Sequence, residues 1–299
     1  MNLLNAVCVS VIAMTAAGAA FADPIDYAGF TGATGLTYNN SANGTAGTTG
    51  ATVTLASVNN TLSGGAVYSS NALSQPTNFS TTFSFNILSQ STGLAGNGFA
   101  FVLSSAPSTM GLVNQNLGLG VYNAATSPAS LDIQFSTFAN QTNNPTYSPG
   151  KVYSNLVAVS TDGNLVIPQS ATSTYAAPYG IDACDNHATT KSSRAGCMSN
   201  GDVWTATITY EKGLLSVTLS DPAEATSFKV INNLAINYSS IFGDGPVYAG
   251  FSASNGAVTE GVQLDSWDLG YPAPEPASLV LFGAGLAGLG FARSRRRTI

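Results

Sequence analysis

Apolar and polar residues alternate with a period of two along much of this chain. Phe83, Phe85 and Ile87 alternate with Thr82, Ser84 and Asn86, and Leu131, Ile133 and Phe135 alternate with Asp132, Gln134 and Ser136. Trp204, Ala206, Ile208 and Tyr210 alternate with Thr205, Thr207 and Thr209, and Leu215, Val217 and Leu219 follow at once. Val247, Ala249, Phe251 and Ala253 make a further apolar face. This period predicts strands with one side in a core and the other toward solvent or a second layer. Gly- and Asn-rich turns separate the strands, and no long amphipathic helix stands outside the termini. No repeat of roughly 20 to 50 residues is present. The fold class expected is all-β, an antiparallel sandwich or jelly roll.

The two ends read differently from the middle. Leu3 to Ala20 is apolar and small, and Ala20-Phe21-Ala22 supplies an A-x-A cleavage pattern before Asp23, so residues 1–22 read as a secretory signal peptide. No Lys or Arg precedes that apolar run. At the other end Pro274-Glu275-Pro276 leads into the uncharged apolar run Ala277 to Ala292, closed by Arg293, Arg295, Arg296 and Arg297. As a helix that run rises about 24 Å against a bilayer core of about 30 Å. Snorkelling arginines make up the difference and place the tail on the cytoplasmic side. Residues 23–271 remain as the folding unit, long enough to bury a sizeable core without metals or several disulfides.

Charge narrows the function classes. Only 8 % of the residues are charged, and Ser, Thr, Asn and Gly take their place, a bias of proteins that live outside the cell. Four of the nine basic residues sit in the last seven positions, so the rest of the chain sets five cations against fifteen carboxylates. With no basic patch to neutralise phosphates, nucleic acid is excluded as a partner. Cys184 and Cys197, the cysteines left once residues 1–22 are removed, bracket a polar loop and are expected to pair in an oxidising compartment.

The order Pro-Glu-Pro, short apolar helix and Arg cluster over 272–299 resembles the PEP-CTERM sorting signal of Gram-negative bacteria. That resemblance implies transient inner-membrane anchoring through the tail, recognition and removal of the tail by an exosortase, and passage to the cell surface or extracellular matrix. A permanent single-span anchor is the other reading of the same segment.

From Phe30 to Leu269 the strands resemble, in order, those of the legume-type (L-type) lectins. The resemblance rests on Gly35-Leu-Thr-Tyr38, Gly65-Ala-Val-Tyr-Ser69, Phe79-Ser-Thr-Thr-Phe-Ser-Phe85 and Gly96-Asn-Gly-Phe-Ala-Phe-Val-Leu103. It continues in Leu117-Gly-Leu119, Leu131-Asp-Ile-Gln-Phe-Ser-Thr-Phe-Ala-Asn140, Val247 to Gly256 and Asp265-Ser-Trp-Asp-Leu269. It implies a concanavalin A-like jelly roll in which a flat six-stranded sheet faces a curved sheet of about seven.

The same family holds Ca²⁺ and a transition metal beside its sugar pocket. Carried onto this chain, its ligand positions fall on Gln134, Ser136, the Phe138 carbonyl, Asn140 and Asn144, with Asn155 nearest the missing His. Neutral amides and a hydroxyl replace the carboxylates and imidazole that such ions favour, so no cofactor is expected beyond weakly held Ca²⁺. Asp132 shares the strand face of Gln134 and Ser136, which leaves one carboxylate nearby. The family's sugar-contacting Asp falls at Asn97, an amide with one acceptor and one donor. The implied rim comprises Asn97, Gly98, Asn116, Asn140, Asn255 and Gly256, and the implied partner is a glycan or exopolysaccharide. A structural matrix protein that keeps the sandwich without binding sugar is the alternative, in which Asn97 and Asn140 satisfy turn backbone.

Enzyme chemistry finds no support. The Glu-x-Asp-x-x-Glu of sandwich glucanases is absent, Glu211 sits in a predicted hairpin Glu211-Lys-Gly213, and Asp265 and Asp268 are expected on opposite faces of a strand. The single histidine, His187, lies between the paired cysteines with no Gly-x-Ser-x-Gly elbow to serve.

Overall fold

The computed structural model describes residues 25–73, 78–89, 96–112, 116–119, 128–137, 156–162, 164–165, 197–256 and 258–271. Strands β1 (Ile25–Tyr27), β2 (Leu36–Asn40), β3 (Gly47–Thr49), β4 (Thr52–Ala56), β5 (Ser63–Ser69), β6 (Phe79–Ser89) and β7 (Phe99–Ser104) come first. Two short 3-10 turns follow, Pro107–Thr109 and Asn116–Gly118. Then come β8 (Ser130–Ser136), β9 (Leu156–Thr161), β10 (Asn164–Leu165), β11 (Asn200–Glu211), β12 (Leu214–Asp221) and β13 (Thr226–Ala235). A one-turn helix, α1 (Tyr238–Phe242), precedes β14 (Tyr248–Asn255) and β15 (Glu260–Gly270).

These strands form two antiparallel sheets. One has eight strands in the order β13-β12-β11-β6-β15-β4-β3, with β1 also on β15, and the other has seven in the order β10-β9-β8-β7-β14-β5-β2. The eight-stranded sheet therefore exceeds the six strands implied by the resemblance. Its extra strands are short: β15 is long enough to take β4 at 262–264 and β1 at 267–269 in succession along one edge. The β11–β12 hairpin turns on Lys212 and Gly213, both at positive φ, the two-residue turn whose twist matches the flanking strands.

The inner faces meet in an aromatic core. Phe83 of β6 packs on Phe99 and Phe101 of β7, Phe135 of β8 and Phe251 of β14, with ring centroids 4.8 to 6.1 Å apart. Trp204 and Trp267 are fully buried, and each indole N–H finds an acceptor, in Asn200 Oδ1 and Thr81 Oγ1 respectively. Burying such rings with their polar edges satisfied dominates the energetics of a sandwich core.

One irregularity corrects a sequence expectation. The register of β15 against β6 shifts between Leu264 and Ser266, a bulge at Asp265. Leu264, Trp267 and Leu269 are buried while Asp265, Ser266 and Asp268 are not. Asp265 and Asp268 thus fall on the same outer side of the eight-stranded sheet, because a bulge adds one residue and resets the alternation.

The outer face of the seven-stranded sheet is partly covered by the segment that carries the two 3-10 turns. Met110 and Leu117 of that segment pack against Ala66, Ala100 and Val102 in a second, smaller apolar cluster. Ser252 Oγ donates to the Leu117 carbonyl at 2.8 Å, and Gly111 N–H to the Gly118 carbonyl at 2.8 Å. Residues 110–111 and 117–118 are thereby pinned over the strands.

Candidate functional site

Gly96, Asn97 and Gly98 form a turn just before β7, and its backbone is shaped by one buried carboxylate. Glu260, the first residue of β15, is fully buried, and Gly96 N–H donates to its Oε2 at 3.0 Å while Gly98 N–H donates to its Oε1. The Thr137 hydroxyl lies 2.9 and 2.8 Å from the two carboxylate oxygens and 3.0 Å from the Gly96 carbonyl, so its single proton is shared among them. Both glycines follow from this packing. A Cβ at Gly96 would stand 2.7 Å from Glu260 Cγ, and Gly98 has φ +92° with its would-be Cβ against the Phe135 carbonyl.

With its backbone held from beneath, the turn presents the Asn97 side chain half-buried at the rim. Asn97 Nδ2 donates to Ser254 Oγ at 3.2 Å, while its Oδ1 takes no hydrogen bond from the described residues. Gly256 lies beside it, where a Cβ would come to 3.8 Å from the Asn97 amide. The 96–98 turn and the end of β14 therefore meet.

Asn255, by contrast, faces inward. It is fully buried, its Nδ2 donates to the carbonyls of Ser57, Asn60 and Glu260 at 2.9 to 3.1 Å, and its Oδ1 accepts from Glu260 N–H at 3.0 Å. With every amide atom engaged by backbone, Asn255 shapes the loop and holds Glu260 in place. The Asn116 backbone belongs to the 3-10 turn Asn116–Gly118, which contacts β14 and β7. Asn140 lies outside the described residues.

Beside this rim runs the outer face of β8. Asp132, Gln134 and Ser136 are all buried there, on one face as expected. Gln134 Nε2 donates to Ser160 Oγ at 3.0 Å, Ser160 Oγ donates to Asp132 Oδ2 at 2.9 Å, and Ser130 Oγ donates to the same oxygen at 3.1 Å. Asp132 Oδ1 has no hydrogen-bond partner among the described residues. Burial drives the Asp132 carboxyl up to about 7, opposed by its two serine hydroxyls and abetted by the nearby Asp162. Glu260 is likewise raised to about 7 by burial, opposed by Thr137 and the Gly98 and Gly96 amides. Cys197 is buried and disulfide-bonded, and Cys184 lies outside the described residues.

Residues 23–278 match the legume lectin domain. The chain belongs to that family. Residues 272–297 match the PEP-CTERM protein-sorting motif, so this legume lectin domain is joined to an export and sorting signal. The chain is 32 % identical over 203 residues to the L-type lectin-domain containing receptor kinase IX.1 of Arabidopsis thaliana, and spans 27 % of that protein's length. Lectin II from Ulex europaeus has the same fold, with a TM-score of 0.59 at 19 % identity over 83 % of this chain and 98 % of that one. So does a lectin from Bauhinia forficata in complex with GalNAc, with a TM-score of 0.57 at 18 % identity over 82 % and 96 %. The metal-free form of lectin I-B4 from Griffonia simplicifolia matches with a TM-score of 0.58 at 18 % identity over 83 % and 99 %.

The family's paired metals do not fit the donors present on β8. Gln134 spends its amide N–H on a serine, Ser136 is a neutral hydroxyl, and the one carboxylate, Asp132, already takes two hydroxyl donors on one oxygen. Among the described residues no three His, Cys, Asp or Glu side chains converge. Phe138, Asn144 and Asn155 lie outside those residues. Hard divalent ions draw their affinity from carboxylate charge, which this face supplies once.

Sequence reasoning named the turn and the rim but not Glu260. Its signal was a lone carboxylate four residues beyond Asn255-Gly256, in a stretch otherwise free of charge from Asp244 to Asp265.

Proposed function

We propose that this is a carbohydrate-binding, non-enzymatic protein of the bacterial surface or extracellular matrix, which takes a neutral glycan or exopolysaccharide at the Asn97 rim. The supporting observation is the Asn97 amide, which stands at the rim with an acceptor oxygen that takes no hydrogen bond from the described residues, on a turn whose two glycine amides are held by the buried Glu260. An amide offers a sugar hydroxyl one acceptor and one donor without the charge of a carboxylate. Such a site binds weakly and gains from the repeated epitopes of a polymer, where linked contacts raise avidity without new interactions. Asn140, Asn116 and Gly256 complete the proposed rim. In the same reading the tail from Pro274-Glu275-Pro276 to Arg295, Arg296 and Arg297 is recognised and removed by an exosortase of a Gram-negative cell, and Cys184 pairs with Cys197.

Isothermal titration of the purified protein with the producing cell's exopolysaccharide, in EDTA and in added Ca²⁺, tests this reading. Saturable heat in both conditions is expected, abolished by Asn97→Ala. Absence of heat in both would favour a structural matrix protein that retains only the sandwich.

A further inference from the structure

We propose that Glu260 is the positioning residue of the Asn97 rim: its buried carboxylate clamps the Gly96–Asn97–Gly98 turn, and no cation is required to hold it. The functional meaning of the clamp rests on the sugar-binding reading, while its existence does not.

Three observations converge on it. First, the turn's two glycine amides both point at Glu260, one to each oxygen; the Gly98 amide fixes the peptide after Asn97, and Thr137, itself on the carboxylate, holds the Gly96 carbonyl of the peptide before it. Charge-assisted bonds of this kind are stronger than neutral ones, and two of them set orientation as well as distance. Second, the bonds span the fold. Glu260 begins β15 in the eight-stranded sheet, whereas the turn leads into β7 and Thr137 follows β8, both in the seven-stranded sheet. One side chain thus ties the two sheets together at the rim. Third, the surroundings are cut to receive it. Gly96 leaves room for its Cγ and Cδ, and Asn255 holds both the N–H and the carbonyl of Glu260 through its own amide.

The electrostatics agree with a clamp rather than a cation ligand. Both Glu260 oxygens accept from protein donors and the side chain is fully buried, so the carboxylate is engaged from within the protein. Its named neighbours are the Thr137 hydroxyl, the Asn255 amide and backbone, none of which titrates. The neutral positions at Gln134 and Ser136 are thereby explained: the loop that metals would otherwise order is ordered from inside the protein.

Hydrogen–deuterium exchange read at single amides, together with a glycan array bearing terminal galactose, N-acetylgalactosamine, mannose and fucose, tests the clamp. In the full-length protein Gly96 and Gly98 amides are expected to be protected in EDTA. Glu260→Gln turns one acceptor into a donor facing those amides, and Thr137→Val removes the shared hydroxyl. Each should raise exchange at Gly96 and Gly98 at least tenfold while the Phe83 and Phe251 amides keep their protection, and Thr137→Ser should restore the wild-type rates. Asn97→Ala should leave these rates unchanged and remove array binding. Unchanged exchange in Glu260→Gln overturns the proposal, as does array binding of undiminished strength once the amides are unprotected. Wild-type protection with a silent array defeats the sugar reading and leaves the clamp standing.

Discussion

Asp132 and Glu260 are both fully buried carboxylates, both raised to about 7 by burial, and they are held in opposite ways. Asp132 receives two serine hydroxyls on one oxygen, from β8 and its partner β9, and among the described residues nothing on the other. Those strands are already paired through a ladder, so the carboxylate adds little that the backbone does not fix. Glu260 receives donors on both oxygens from segments 164, 162 and 123 residues away in sequence, none of them otherwise joined to β15 by a strand pairing. A buried charge is weak evidence for stability in itself. The contrast shows when it matters: where it links elements that no strand ladder connects.

The largest effect that would break this symmetry is Glu260→Ala. It leaves two backbone N–H groups buried without their acceptor, at about 1 to 3 kcal/mol each, while the Thr137 hydroxyl keeps the Gly96 carbonyl. A loss of roughly 3 to 5 kcal/mol is expected, or a fall in Tm of about 10 °C for a domain of this size. Calorimetry of the two variants side by side checks it. Asp132→Asn should cost less than about 1 kcal/mol, because the two serine hydroxyls can donate or accept in turn and one oxygen of Asp132 is unpartnered already. Equal losses from the two variants would contradict the distinction drawn between them.

The pH dependence sharpens the comparison further. A carboxyl raised above its ordinary 3.8 or 4.5 to about 7 binds its proton more tightly in the folded than in the unfolded state. Between those limits the native protein holds more protons, so stability falls as pH rises from about 4 to about 7. Asp132→Asn removes one of the two groups responsible. The variant is expected to match or exceed the wild type at pH 8, where Asp132 is buried and charged beside Asp162, and to lose that advantage at pH 4. Thermal melts of both proteins across the window read the crossover. A wild type that grows more stable from pH 4 to pH 7, by the same amount in both proteins, would show that Asp132 is ionised at little cost.

How far such features can be read from sequence differs between the two residues. Period-two alternation located β6, β8, β11, β12 and β14, because each buries one face and the alternation records it. Asp132 was legible for the same reason, since its parity with Gln134 and Ser136 puts it on their face. The bulge at Asp265 was not legible, because a bulge adds a residue without changing composition, and Asp265 and Asp268 fell on one side instead of two. Glu260 was illegible because its burial depends on glycines more than 160 residues earlier. Asn255 shows the remaining limit: an amide in a turn looks like a rim donor until the backbone around it shows which way it faces. The outer positions of the sandwich follow from local pattern, and the organisation of the site follows from long-range contacts.

The smallest expected effect is that of chelation, and it bears on the same pair. Were a cation the tie that orders the rim, its removal should destabilise the protein much as Glu260→Ala does. The β8 face offers Asp132 as its single carboxylate, beside an amide and hydroxyls already engaged with each other. Ca²⁺ held there at a millimolar Kd would contribute about 0.4 kcal/mol in 1 mM Ca²⁺. That corresponds to about 1 °C in Tm. Melting curves in EDTA and in 1 mM Ca²⁺ are therefore expected to coincide within that margin. A fall of several degrees on chelation would place a tight cation at the rim and demote Glu260 from the tie to one of its supports. Coincident curves, beside a 10 °C loss in Glu260→Ala, would locate the ordering of the rim in the carboxylate.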